Sequence, residues 1–253
     1  MYKAQSLRDS LSGNKYSFDS EKDIDFWIKS QDKSFRDELL NLYNYGRVRA
    51  LFEFEKLSKL EKFLKIESLC VVSGGGKDEP EQKFIKSNSV FSTTLEDGFD
   101  LTEDWRQNSG FEDIVESFDF VMCNQVLEHV PDVLLAFKNL VSLTKPGGYI
   151  WVSLPVINRI HMDPDFYSSG YHPRFLKFLG DKNDLENVHI SAWGSLKCKV
   201  FTTTRSWPTY TQLKRGIRSK NDIIFPMGVI LNGLKNNDKH LVDAWALYKK
   251  PTK

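Results

Sequence analysis

The chemistry-bearing residues of this chain crowd into one short stretch. Asn124 and Gln125 end an apolar run, and Glu128 and His129 follow in the sequence NQVLEHV. A histidine titrates near neutral pH and suits proton transfer, and a carboxamide beside it offers both donors and acceptors. A second cluster, HMDPDFYSSGYHPR, supplies His161, Asp163, Asp165, Tyr167, Tyr171, His172 and Arg174. A metal centre needs three or more convergent ligands. No partner motif for His161, Asp163 and Asp165 stands out, so the expectation is a polar loop bordering a pocket, with no metal. The third candidate is Ser73-Gly74-Gly75-Gly76, where glycine lets backbone approach a ligand closely. GGGK lacks the spacing and final Lys-Ser/Thr pair of a phosphate loop, and no Gly-x-Gly-x-x-Gly supports a nicotinamide enzyme.

The elements around these residues position them. FDFVMC at 118–123 is almost wholly apolar, as expected of a strand covered on both faces of a parallel sheet. Val133, Ala136, Phe137, Leu140 and Val141 then recur at helical spacing. Pro131 and Asp132 mark the start and LysProGlyGly at 145–148 the stop. YIWVSLP reads as the next strand, and strand, helix and strand of this size make a crossover between parallel strands. Ligands in such sheets sit beyond the carboxyl ends of the strands. That places Asn124, Gln125, Glu128 and His129 where chemistry occurs.

The strand ending in Asn-Gln, followed by LEHVPD, a helix and KPGG before another strand, resembles class I S-adenosylmethionine-dependent methyltransferases over about 40 residues. The segment after it resembles a subgroup linked to sugar and polysaccharide biosynthesis, although the usual aromatic-Arg-aromatic stretch lacks its arginine. The resemblance implies an α/β, Rossmann-like, doubly wound seven-stranded sheet with an antiparallel last strand. It implies S-adenosylmethionine as cofactor, held by Ser73, Gly74, Gly75, Gly76, Asn124 and Gln125 at its methionine end. Asp100 would meet the adenine amino group with Leu101 packing on the ring, and Glu96 or Asp97 would hold the ribose. His129 is then either the base that takes a hydroxyl proton or a structural residue of the loop. His161, Tyr167, His172 and Arg174 would contact a small-molecule or glycan acceptor. Against the family's acidic residue and Gly-x-Gly-x-Gly, this chain has Val71, Ser73 and Lys77. A scaffold protein that retains the fold without the activity is therefore the competing reading.

Strands are expected at 66–73, 87–93, near 98–102, at 118–123, 149–155 and 186–195, and in the tail VDAWALYKK. Helices are expected within 21–65 and over PRFLKFLG, which ends at Gly180. The division is an N-terminal helical extension over 1–65 and a methyltransferase-like domain over 66–253. Composition narrows the partners. The 253 residues, with 40% hydrophobic and 13% aromatic content, suit one α/β domain of about 180–200 residues plus an extension. Net charge is +1, so no global field draws nucleic acid or anionic membrane. The basic cluster at 214–220 reads as a solvated segment. Cys70, Cys123 and Cys198 are too few and too scattered for a disulfide or zinc framework. The N-terminus has no apolar core of signal-peptide length, and a cytoplasmic protein is expected.

Overall fold

A computed structural model of the chain describes residues 21–73, 78–93, 101–103, 112–195, 198–199, 202–203, 209–211 and 240–252. The polar N-terminus, the basic cluster, and Gly74, Gly75, Gly76, Lys77, Glu96, Asp97 and Asp100 lie outside them. Helices α1 (Glu21–Ser30), α2 (Lys33–Asn41) and α3 (Tyr45–Leu60) come first. Strands β1 (Lys65–Ser73), β2 (Lys86–Thr93) and β3 (Phe118–Asn124) follow, then α4 (Val133–Leu143), β4 (Thr144–Pro155), α5 (Pro173–Lys182), β5 (Glu186–Trp193) and β6 (Asp243–Lys249). The sheet runs β2-β1-β3-β4-β6-β5. β1, β2, β3 and β4 pair in parallel, and β6 is antiparallel to both β4 and β5. The antiparallel last strand is as expected, and six strands are seen among the described residues. Of the segment expected to form a short strand near 98–102, Leu101 and Thr102 stand in a turn.

Period-two alternation divides the core. Cys70, Val72, Val121, Cys123, Ile150, Val152, Ala244 and Ala246 face one side, where α4 and α5 cover them. Leu69, Val71, Phe120, Met122, Trp151, Trp245 and Leu247 face the other, against α1–α3. Both faces are buried, which is why these strands have no polar alternation. The second layer is aromatic: the Phe54 ring lies 5.0 Å from Trp151 and 5.8 Å from Phe120, edge-on to both. Such contacts add about 0.5–1.5 kcal/mol each beyond burial. Below them Glu53, buried on α3, accepts from Trp245 Nε1 at 2.7 Å and meets His189 Nε2 at 2.8 Å. The residues of the expected extension thus share a core with the sheet.

Capping residues divide the N-terminal helical stretch into three. Asp32 accepts from Phe35 N at 3.0 Å and Asn44 from Arg47 N at 2.9 Å, which satisfies amides that a helix start leaves open. Asp132 does the same for α4, accepting from Leu134 N and Leu135 N. β4 begins at Thr144 rather than Tyr149, because Thr144 pairs with Phe118 before the register shifts. LysProGlyGly occupies that irregularity: Gly147 has φ +82, and a Cβ on Gly148 would lie 2.8 Å from the Asp119 carbonyl oxygen. α5 runs two residues past Gly180. No described helix is long and apolar enough to cross a membrane.

Candidate functional site

β1 and β3 are neighbours in register, with Ser73 opposite Asn124, and Asn124 is in turn opposite Ser153 of β4. The chain therefore leaves β1 and β3 side by side at one carboxyl edge. Six side chains distant in sequence converge there. Arg47 meets Glu81 with both prongs of its guanidinium, at 2.6 and 2.7 Å. It also donates to Glu79 at 2.7 Å and to Ser153 Oγ at 3.0 Å. Asn124 Nδ2 donates to Glu79 at 3.1 Å, and Ser153 Oγ donates to Asn124 Oδ1 at 2.8 Å. Trp151 Nε1 reaches Glu81 at 3.2 Å. Forked, charge-assisted pairs of this kind fix geometry as well as charge.

Carboxylates outnumber cations at this edge. Burial pushes the Glu81 carboxyl up to about 6, against the pull of Arg47. Asp243 opens β6 opposite Pro155, and burial pushes it up to about 7 despite Arg47. Its Oδ2 has no hydrogen-bond partner among the described residues and lies 1.8 Å from where a Cβ on Gly46 would stand. Glycine at position 46 is what lets the start of α3 close over that carboxylate.

Beyond Asn124 the chain turns sharply. Gln125 has φ +54 and donates its amide to Ser153 O at 2.8 Å. A single 3-10 turn, Leu127–His129, follows. Glu128 is fully buried, and among the described residues neither carboxylate oxygen finds a hydrogen-bond donor on another residue. Burial pushes its carboxyl up to about 7, with the Asp243 charge adding. Its carbonyl accepts from Tyr167 N and Ser168 N, so the 156–172 loop is bound to this turn. His129 Nδ1 lies 2.5 Å from the Asp165 carbonyl oxygen, and its ring meets His161 edge-on at 4.7 Å.

The candidate residues separate into groups. Asn124, Gln125 and His129 stand at the carboxyl edge, and His161 joins His129. Ser73 is placed there by its backbone. Leu101 is buried in the aliphatic layer, and the buried Asn139 of α4 donates to the carbonyls of Leu101 and Glu103, at 2.9 and 2.6 Å. Tyr167 is exposed on the loop. His172 caps α5, its Nδ1 accepting from Arg174 N at 3.2 Å, and the Arg174 side chain is exposed. Arg47, Glu79, Glu81, Ser153, Asp243 and Asn139 were not among the sequence candidates. Cys70, Cys123 and Cys198 are free and buried, as small hydrophobes are. An open groove of about 730 Å³, lined by Lys62, Lys65, Lys86 and Tyr149, lies at the amino ends of the strands, on the opposite rim.

Comparison with known proteins follows this geometry. A family model described as "Methyltransferase domain" matches residues 32–190, more than half of the chain. Ubiquinone biosynthesis O-methyltransferase of Aliivibrio fischeri is 42% identical over 38 residues, 15% of this chain and 16% of that protein. The Xanthomonas campestris pv. campestris enzyme of the same name is 51% identical over 37 residues, again 15% and 16%. The chain thus spans about a sixth of the length of these curated relatives. Among solved structures, the N-methyltransferase NodS from Bradyrhizobium japonicum, in complex with S-adenosyl-L-homocysteine, is similar over 91% of this chain and 97% of its own. Its identity is 9% and the TM-score 0.44.

Proposed function

Because the chain belongs to the class I S-adenosylmethionine-dependent methyltransferase family, we propose that it methylates an oxygen of a small acceptor, a sugar or polysaccharide-related hydroxyl. The observation that carries this reading is the charged network at the carboxyl edge of β1, β3 and β4. The family's usual acidic residue near the end of the first strand is replaced by Val71, yet Glu79 brings a carboxylate back to Asn124, 3.1 Å away. Arg47 stands beside it. An anion and a guanidinium side by side match the ammonium and carboxylate of a methionine end. Glu79 with Asn124 would take the former and Arg47, giving up part of its pair with Glu81, the latter; Ser73, Gly74, Gly75 and Gly76 remain the proposed loop contacts. Asp100 and Leu101 remain the proposed adenine contacts.

The bound cofactor supplies a methyl group on a sulfonium, which an oxygen nucleophile displaces in line. The protein's own part is to position the acceptor and receive its proton. A carbonyl oxygen only accepts hydrogen bonds, so the contact with Asp165 puts the proton of His129 on Nδ1 and the lone pair on Nε2. His129 is the proposed base through that nitrogen. His161 and Tyr167 are the proposed acceptor contacts. His172 serves α5 as a cap, which accounts for it without a ligand. The brief match to ubiquinone O-methyltransferases supports oxygen as the methylated atom.

The test incubates purified protein with methyl-labelled cofactor and a panel of glycans, nucleotide sugars and phenols. A mass gain of one methyl on a hydroxyl compound supports the proposal. Cofactor binding with transfer only to nitrogen acceptors overturns the oxygen assignment. Failure to bind cofactor favours the scaffold reading that Val71, Ser73 and Lys77 motivate.

A further inference from the structure

Glu128, His129 and His161 offer three ligand atoms that all lie within 4.8 Å of one another. Glu128 is the independent observation. Its side chain is fully buried, and among the described residues neither oxygen finds a hydrogen-bond donor on another residue. A buried carboxylate without such donors is costly: it either takes up a proton or is met by a cation or a bound group. His129 Nε2 stands 3.9 Å from Oε1, too far for a hydrogen bond. It is close to the separation of two ligands on one ion: bonds of about 2.1 Å at a tetrahedral angle place their donors roughly 3.4 Å apart.

Both imidazoles are held at Nδ1 by a backbone carbonyl. His129 Nδ1 is held by the Asp165 carbonyl oxygen at 2.5 Å, and His161 Nδ1 by that of Arg159 at 2.9 Å. Each bond assigns the proton to Nδ1 and the lone pair to Nε2. Metal-binding histidines are held in this way, by a carbonyl on the nitrogen that does not ligate. Phe166 closes one side, 6.0 Å from the His129 ring and 5.1 Å from that of His161. Two imidazoles and one carboxylate suit zinc, cobalt, nickel or iron(II), whereas magnesium and calcium prefer oxygen donors.

We infer that Glu128, His129 and His161 bind a divalent transition-metal ion of the zinc class, at the junction of the turn after β3 and the 156–172 loop. Three protein ligands leave a coordination position open, as in catalytic zinc sites. With the ion bound, the His129 lone pair is committed to it; the metal would then acidify the acceptor hydroxyl, whose proton would leave to water. That use rests on the methyltransferase proposal; ion binding does not.

The experiment takes the full, untagged chain, stripped with chelator and titrated with cobalt(II) while visible absorption is followed. One equivalent is expected, with bands of low-symmetry cobalt that zinc displaces. Glu128→Gln and His161→Ala should lose more affinity than the roughly 100-fold an outer-shell partner costs, with unchanged circular dichroism. His240→Ala should bind as the parent does. No cobalt uptake by the folded parent, or equal uptake by Glu128→Gln, overturns the inference. S-adenosylhomocysteine is titrated into the same samples. Cofactor binding without metal uptake removes only the metal site; metal uptake without cofactor binding upholds the site and removes its role in methyl transfer.

Discussion

Asp243→Asn should flatten the dependence of stability on pH. The Asp243 carboxyl is buried against Gly46, its Oδ2 has no partner among the described residues, and burial lifts it from 3.8 to about 7. The folded state therefore holds the proton after the unfolded chain has lost it. Stability from this group is complete below about pH 4, falls as pH rises towards 7, and is lost above that. A rise of this size corresponds to about 4 kcal/mol at most, taking ~1.36 kcal/mol per pH unit. Water penetration and relaxation bring the realised value down. Glu81 and Glu128 are raised in the same direction, so the variant keeps part of the slope. Urea unfolding from pH 4.5 to 8.5 reads the effect. The parent should lose stability across this range, and Asp243→Asn should lose less by about 2–4 kcal/mol, matching or exceeding the parent at pH 8. Equal slopes for the two proteins would refute the assignment of a buried carboxyl that keeps its proton towards pH 7.

Three further outcomes are expected. His129→Ala should slow methyl transfer by about 100-fold or more while leaving the calorimetric affinity for S-adenosylhomocysteine nearly unchanged; equal losses in both would make His129 part of the pocket wall. Glu79→Gln should weaken S-adenosylhomocysteine by about 10-fold or more, the worth of one charge-assisted hydrogen bond. It should leave 5′-methylthioadenosine, which lacks the amino-acid end, unaffected; parallel losses would remove Glu79 from the methionine end. Asn139→Ala should cost about 1–3 kcal/mol, because two carbonyls lose their buried donor. Amide exchange at 101–103 should rise with it, and unchanged protection would place the anchor elsewhere.

The sheet was legible where a strand's demands are local. FDFVMC has an apolar residue at almost every position because both faces of β3 are covered, and Asp132 marks the start of α4 because its carboxylate caps two amides. The caps Asp32 and Asn44 carry the same signal within a stretch expected only to be helical. The charged network was not legible, since Arg47 and Ser153 lie 106 residues apart and Arg47 and Glu81 lie 34 apart. Only folding brings α3, the segment after β1, and β4 together. Gly46 between Asn44 and Arg47 was the one available hint that something packs closely there. His161 read as lacking metal-binding partners for a similar reason. Its partners Glu128 and His129 stand some thirty residues earlier, and the loop returns to them through the backbone bonds of Tyr167 and Ser168 to Glu128.

Calorimetric titration of the purified chain with S-adenosylhomocysteine tests the central claim most directly. Saturable binding at one site per chain is the predicted result. A folded protein that gives no saturable heat up to about 1 mM ligand, binding weaker than roughly 4 kcal/mol, would contradict it.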